Sequence, residues 1–323
     1  MVCLLNKIVL GTLPFGAVIS PEQSKNLIDL AWDNGIRNFD IAPLYGNGMA
    51  SEIVNTCLGE RKKTSEFWVS IGLQKHPDER GVFAVTTIKQ NKLNILKSVY
   101  EMLEKLQIDY ISVLNLHAPD DESDMSEVLQ TLSELKVSGI TNKLSISNFN
   151  SVQLKTIKKA EIETGINFDI FQIHGNMIEQ KLINEFLKEK NSREIFCYRP
   201  LARGLLTREY SNTNHKPANS RATRGWRLER YMNSRFLLQI EKFQELSSKF
   251  NVSQGHLALY WIFNIANLDG VVLGIRTVEQ LLDVTNYKNF TPSSELLSSF
   301  TKYLNDYGFK EIASTLPIDY FEK

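Results

Sequence analysis

The feature that most constrains this chain is a regular alternation of short apolar runs with longer amphipathic stretches. Runs at 36–40 (IRNFD), 67–73 (FWVSIGL), 111–116 (ISVLNL), 143–147 (KLSIS), 170–173, 195–198 and 271–274 read as strands. Helical patterns lie at 21–34, 51–58, 87–106, 125–138, 152–164, 178–190 and 254–264. Ser20 before Pro21 predicts a helix start, with the serine as cap, and Asn34-Gly35 predicts its stop. Strand–helix–strand alternation argues for βα units and a parallel sheet. Seven clear strands, with a weak eighth near 287–290, favour a closed (β/α)8 TIM barrel over an open doubly wound sheet. The open alternative also lacks its marker, because no GxGxxG follows the first strand. The leading LNKIVLGTLPFG predicts an N-terminal hairpin plug ahead of the barrel.

Composition narrows the function classes. Lys+Arg 37 balances Asp+Glu 37, so no global field favours nucleic acid or an anionic membrane. The three cysteines, Cys3, Cys57 and Cys197, lie far apart without a CxxC, which excludes a disulfide framework and suits a reducing cytoplasm. No stretch approaches the roughly 18 uninterrupted apolar residues of a membrane span. The opening MVCLLNKIVLGT has too short an apolar run for a signal peptide. These readings predict a soluble cytoplasmic protein, monomer or homodimer, with one domain over 1–323. Within it, 203–235 is a basic loop or lid, with eight Lys/Arg (Arg203, Arg208, Lys216, Arg221, Arg224, Arg227, Arg230, Arg235) against Glu209 and Glu229. That surplus points to an anionic small-molecule substrate.

In such a barrel, reactive groups gather where the strands end and the following loops converge. Those ends carry Asp40 with Tyr45 just beyond, Gly72 or Leu73, His117, Ser147 with Asn148, Gln172 with His174, Tyr198 with Arg199, and Gly274 with Arg276 and Thr277. So many polar groups at one edge imply a shared pocket, since each is costly to bury without a partner.

These residues also carry a resemblance. FDIAPLYGNGMASE is similar to the FDTA-x-x-YG-x-G-x-SE segment of the aldo-keto reductases. NLHAPD, SISNF, FQIHGN, YRPLARGLL and GIRTVEQL follow in the family's order, so the resemblance runs from about residue 7 to about 290. It implies a barrel that binds NADP(H) and transfers hydride to or from a carbonyl of a small metabolite such as a sugar, and the basic charge of 203–235 points further to a nucleotide-linked or phosphorylated sugar. Tyr45 would be the general acid, His117 would orient the carbonyl, and Asp40 would pair with a lysine that acidifies the phenol. Ser147, Asn148 and Gln172 match the trio that holds the nicotinamide carboxamide, and Tyr198 the aromatic that stacks on the ring. Pro200, Leu201, Arg203, Gly204 and Leu206 match the pyrophosphate loop, and Arg199 beside them is a further cofactor-binding candidate. Gly274, Arg276, Thr277 and Gln280 match the adenosine end, with Arg276 a partner for a 2′-phosphate and Asp283 a lesser member. His174 has no role in the pattern and reads as structural. No metal is implied.

Three positions depart from the family. Gly72 stands where the lysine belongs, and Lys75 lies three residues later, in reach only if the strand bulges. Arg199 replaces the usual serine, and Val284 the asparagine expected four residues after Gln280. These departures keep two alternatives open. One is a non-redox acid–base enzyme for elimination or epimerisation on the same fold; the other is an NADPH-binding sensor or scaffold with little turnover.

Overall fold

The computed structural model describes residues 4–77, 83–207 and 233–309. In chain order its strands and helices begin with β1 (Ile8–Gly11), α1 (Pro21–Asp33), β2 (Asn38–Ile41), α2 (Met49–Leu58), β3 (Glu66–Ile71), β4 (Leu73–Pro77), β5 (Phe83–Thr87) and α3 (Lys92–Leu106). They continue with β6 (Ile111–Leu116), α4 (Met125–Val137), β7 (Thr141–Ser147), α5 (Ser151–Thr164), β8 (Ile170–His174), α6 (Lys181–Leu187) and β9 (Glu194–Tyr198). The last are α7 (Ser234–Lys249), α8 (Gln254–Tyr260), β10 (Gly270–Leu273), α9 (Val278–Asn286) and α10 (Ser294–Asp306).

Parallel strands close a barrel in the order β1-β2-β3-β6-β7-β8-β9-β10, with β10 pairing back onto β1. The (β/α)8 expectation is met. The eighth strand is not where the sequence suggested, however. Ile8–Gly11 is β1 itself, paired with β2 and β10, so there is no plug hairpin at this segment. A run of four residues, buried on every side, is too short to show a period and so reads as a prelude. The weak candidate at 287–290 is instead a short 3₁₀ turn, Tyr287–Asn289, whose apolar character serves stacking of Tyr287 on Phe263 and Phe290. The expected helix start at Thr87 also moves. Thr87 ends the antiparallel β4–β5 hairpin, and α3 begins after Asn91, whose side chain accepts from the Asn94 amide.

Alternation along each strand sorts the barrel into shells. Outward residues such as Phe39, Val69, Leu114, Ile146, Phe171 and Ile195 pack beneath the helices. Inward residues Val9, Trp68, Val113, Ile170, Phe196, Tyr198 and Val272 form a separate core, with the Trp68 and Phe196 rings 4.6 Å apart. Gly270 is required there, since a Cβ on it would lie 2.0 Å from the Phe196 ring. Towards the C-terminal ends of several strands, the inward positions turn polar: Asp40, Ser70, Asn115, Ser147, Gln172 and His174. The apolar layer is thus the floor of a polar one at the C-terminal end.

The opposite end is built differently. A cavity of about 510 Å³ there is lined by Lys143, Asp169, Arg193 and Glu194 among others. Its charges are matched: Arg193 with Glu161 at 2.5 Å, Lys136 with Asp169 at 2.7 Å, and Lys143 with Glu194. This end reads as a stabilising seam. Of the expected basic loop, residues 208–232 lie outside the described residues; Arg203 belongs to the turn after β9 and Arg235 to the first turn of α7.

Candidate active site

Asp40, near the C-terminal end of β2, is 4% exposed inside the barrel mouth. Gln172 Nε2 from β8 donates to its Oδ1 at 3.4 Å, and the Tyr45 hydroxyl also hydrogen-bonds the carboxyl. Burial outweighs both bonds and pushes the carboxyl up to about 6. Tyr45 is presented by the tight turn Tyr45–Gly48, in which Gly46 and Asn47 take left-handed conformations with φ of 58° each. Its hydroxyl lies 3.3 Å from His117 Nε2, and the two rings meet edge-on at 5.6 Å. Burial lowers His117 to about 4, so its ring is neutral at pH 7. The backbone holds it in place: His117 N donates to Ile71 O at 2.8 Å, and Asn148 Nδ2 donates to His117 O at 2.6 Å. Three sequence-separated candidates, Asp40, Tyr45 and His117, are therefore assembled at one point.

The lysine position is filled in another way. Gly72 follows β3 with φ +96°, and a Cβ there would lie 3.1 Å from Gln90 Nε2. Gln90 is 2% exposed. Its Nε2 donates to Ala118 O at 2.7 Å and its backbone N to Asp120 Oδ2 at 2.7 Å. Lys75 sits exposed on the β4–β5 hairpin, where its Nζ donates to Asn47 Oδ1 at 2.6 Å. It braces the Tyr45 turn from outside.

The cofactor candidates line the same rim. Asn148 has φ 62° and accepts from the Tyr198 hydroxyl at 2.5 Å, so it links the β7 and β9 ends. Gln172 reaches inward to Asp40 and accepts from Asn115 Nδ2 at 3.4 Å, while Asn115 Nδ2 also donates to Ser70 Oγ at 2.8 Å. Ser147 Oγ is buried with no partner among the described residues. After Tyr198 the chain enters a strained turn in which Arg199, Ala202, Arg203 and Gly204 have φ of 61°, 47°, 59° and 96°. Non-glycine residues hold such angles only where the surroundings enforce them, and such strain clusters at ligand sites. Pro200 and Leu206 are buried beneath that turn and Leu201 half-buried. At the β10 end Gly274 is exposed, Thr277 caps α9 through Gln280 N, and Gln280 Oε1 accepts from Arg276 N at 3.0 Å. Asp283 is turned towards α8, accepting from Ser253 Oγ at 2.9 Å. Val284 is buried in the core.

An orphaned buried hydroxyl, a strained loop with basic residues and an aromatic ring on one rim fit a nicotinamide dinucleotide. Sequence reasoning missed Ser70, Asn115 and Gln90. The first two were legible as polar residues at inward strand positions; Gln90 lies in a loop and carried no signal. His174, read as structural, is buried with Nε2 3.1 Å from Glu179 Oε2, its ring 5.5 Å from that of Tyr198.

Comparison with known proteins agrees with this architecture. "Aldo-keto reductase YhdN" of Bacillus subtilis (strain 168) is 27% identical over 315 residues, covering 90% of this chain and 87% of that protein. A "Probable voltage-gated potassium channel subunit beta" of Oryza sativa subsp. japonica is 25% identical over 295 residues, 83% of each. The structure of the glycerol dehydrogenase AKR11B4 from Gluconobacter oxydans superposes with a TM-score of 0.79 at 23% identity, over 96% of this chain and 94% of that one, and shows the same fold. No described helix is long and apolar enough to cross a membrane. The profile of the aldo/keto reductase family matches residues 7–304, and the chain belongs to that family.

Proposed function

We propose that this protein is an NADP(H)-dependent oxidoreductase that interconverts a carbonyl and a hydroxyl on a small cytoplasmic metabolite. The observation that carries the reading is the Tyr45 hydroxyl held between His117 Nε2 at 3.3 Å and the buried Asp40 carboxyl. When bound, the dinucleotide supplies or accepts the hydride. Tyr45 gives its proton to the carbonyl oxygen as negative charge develops there. Neutral His117 offers Nε2–H to the same oxygen and fixes its direction. Ser147 Oγ and Asn148 would hold the carboxamide, and Tyr198 would offer its ring for stacking. The turn 199–204 with Arg203 would receive the pyrophosphate, and Arg276 just ahead of α9 the 2′-phosphate. The basic surplus over 203–235 favours an anionic substrate, such as a phosphorylated or nucleotide-linked sugar.

The test is NADPH titration followed by product analysis with a panel of aldehydes and ketones. Reduced product from the wild type, lost in Tyr45→Phe while NADPH binding persists, supports the reading. NADPH that binds but is never consumed favours a sensor or scaffold instead. The glycine at position 72 and the similarity to a named channel subunit speak for that second reading.

A further inference from the structure

His117 is the first residue past β6, and the chain from there to Asp124, the cap of α4, is irregular. A functional ring on such a stretch keeps its place only where the backbone beneath it is tied down. His117 N donates to Ile71 O at 2.8 Å. The next two carbonyls each accept from a side-chain amide: His117 O from Asn148 Nδ2 at 2.6 Å, and Ala118 O from Gln90 Nε2 at 2.7 Å. Gln90 comes from a different part of the chain. It lies between the β4–β5 hairpin and α3, one residue ahead of the cap Asn91. Its backbone N donates to Asp120 Oδ2 at 2.7 Å, and Asp120 also accepts from Glu122 N at 3.1 Å and Ser123 Oγ at 2.5 Å. One residue thus grips the His117 loop twice, once with its main chain and once with its side chain.

Gly72 makes that grip possible. Ile88 N donates to Gly72 O at 2.9 Å, which brings the stretch before α3 against the exit of β3. The three heavy atoms nearest to a Cβ at position 72 would all belong to Gln90: Nε2 at 3.1 Å, Cδ at 3.7 Å and Cγ at 3.8 Å. The glutamine therefore lies where a side chain at 72 would begin. At 2% exposure it is also shut away from water, which would otherwise compete for Ala118 O.

We infer that Gln90 is a positioning residue for His117: in the space that a lysine at position 72 would need, this chain places a neutral amide that fixes the loop bearing the carbonyl-orienting ring. This rests on the oxidoreductase reading above. Gln90 contributes no charge and no proton, and it acts only through His117. Its effect on turnover is large because misplacing an orienting group by about 1 Å can cost about 10²-fold.

Two measurements test this. Gln90→Met keeps the length and bulk of the side chain and removes the donor; Gln90→Asn, with an amide one methylene short of Ala118 O, is the second variant. In the apoprotein, the ring ¹⁵N signals of the five histidines are compared between wild type and each variant. The His117 signal should shift or broaden, while that of His256 on α8 stays unchanged. A His117 signal identical in all three proteins overturns the inference. With NADPH and an accepted carbonyl substrate, kcat should fall by about tenfold to 10²-fold in Gln90→Met, with the Kd for NADPH unchanged. In a His117→Ala background the same substitution should change kcat less than about twofold, because a residue that acts through the ring is silent once the ring is gone. An equal fall in both backgrounds, or a loss confined to NADPH affinity, overturns the inference and spares the oxidoreductase reading. No wild-type turnover with NADPH bound, alongside a shifted His117 signal, overturns the oxidoreductase reading and leaves the grip of Gln90 on the loop standing.

Discussion

Asp40 is held where its charge costs stability at neutral pH. Its carboxyl is raised from 3.8 to about 6, so its contribution to stability is present below about 3.8 and is lost as pH rises through about 6. At 1.36 kcal/mol per pKa unit, the loss is about 3 kcal/mol above that window. Asp40→Asn should therefore be more stable than wild type at pH 8 by up to about 3 kcal/mol, the gain vanishing near pH 4. Urea unfolding at several pH values checks this, and a variant less stable at pH 8 would contradict it. His117 runs the other way: lowered to about 4, it contributes stability above 6.5 that is lost as pH falls through about 4. The two slopes oppose each other in wild type, and removing Asp40 should leave the histidine's acid-side loss exposed. At the adenosine end, Arg276→Ala should erase an NADPH-over-NADH preference of more than about tenfold, given 1.5–3 kcal/mol for a bond to a charged group. Fluorescence titration giving equal wild-type affinities would sink that assignment. Asp40, Tyr45 and His117 were legible in the sequence because each stands at or just past a strand end. The hydrogen-bond partners of Asp40 were not, because which neutral groups converge on a carboxyl is set by barrel closure.

Among the elements, β3 and its exit carry the most information. A vacancy at position 72 suggests that inserting lysine restores the family's arrangement, yet the structure argues otherwise. Gly72 has φ +96°, and its Cβ position lies 3.1 Å from the anchored Gln90 amide. Gly72→Lys should cost about 1–3 kcal/mol from backbone strain alone and give no gain in reductase turnover. Recovered turnover with unchanged melting would show that the strand end adapts. Gly270→Ala on β10 should destabilise by at least about 1–3 kcal/mol through overpacking against Phe196. Thermal unfolding reads this directly, and an unchanged melting temperature would contradict the interior layering. Element existence was legible where period and caps agreed, as for α1, whose Ser20 side chain accepts from Gln23 N at 3.1 Å. It was not legible for β1, which is only four residues long, nor for the β4–β5 hairpin, whose pairing partners are 6 to 14 residues apart.

At the scale of the whole molecule, one barrel has two chemically different ends. The N-terminal end neutralises its charges in pairs such as Arg193–Glu161. The C-terminal end leaves a buried carboxyl with neutral donors, a serine hydroxyl without a partner among the described residues, and a strained basic turn. That asymmetry is what places the chemistry, and the motif order made the end legible before the geometry did. The central claim is that hydride transfer at this end depends on the Tyr45 hydroxyl. The most direct measurement is product analysis after incubation with NADPH deuterated at the transferable position and a panel of aldehydes and ketones. The account predicts deuterated alcohol from wild type and a yield lower by roughly 10²–10⁴ from Tyr45→Phe, with NADPH binding unchanged. Equal deuterium transfer by the two proteins would contradict it.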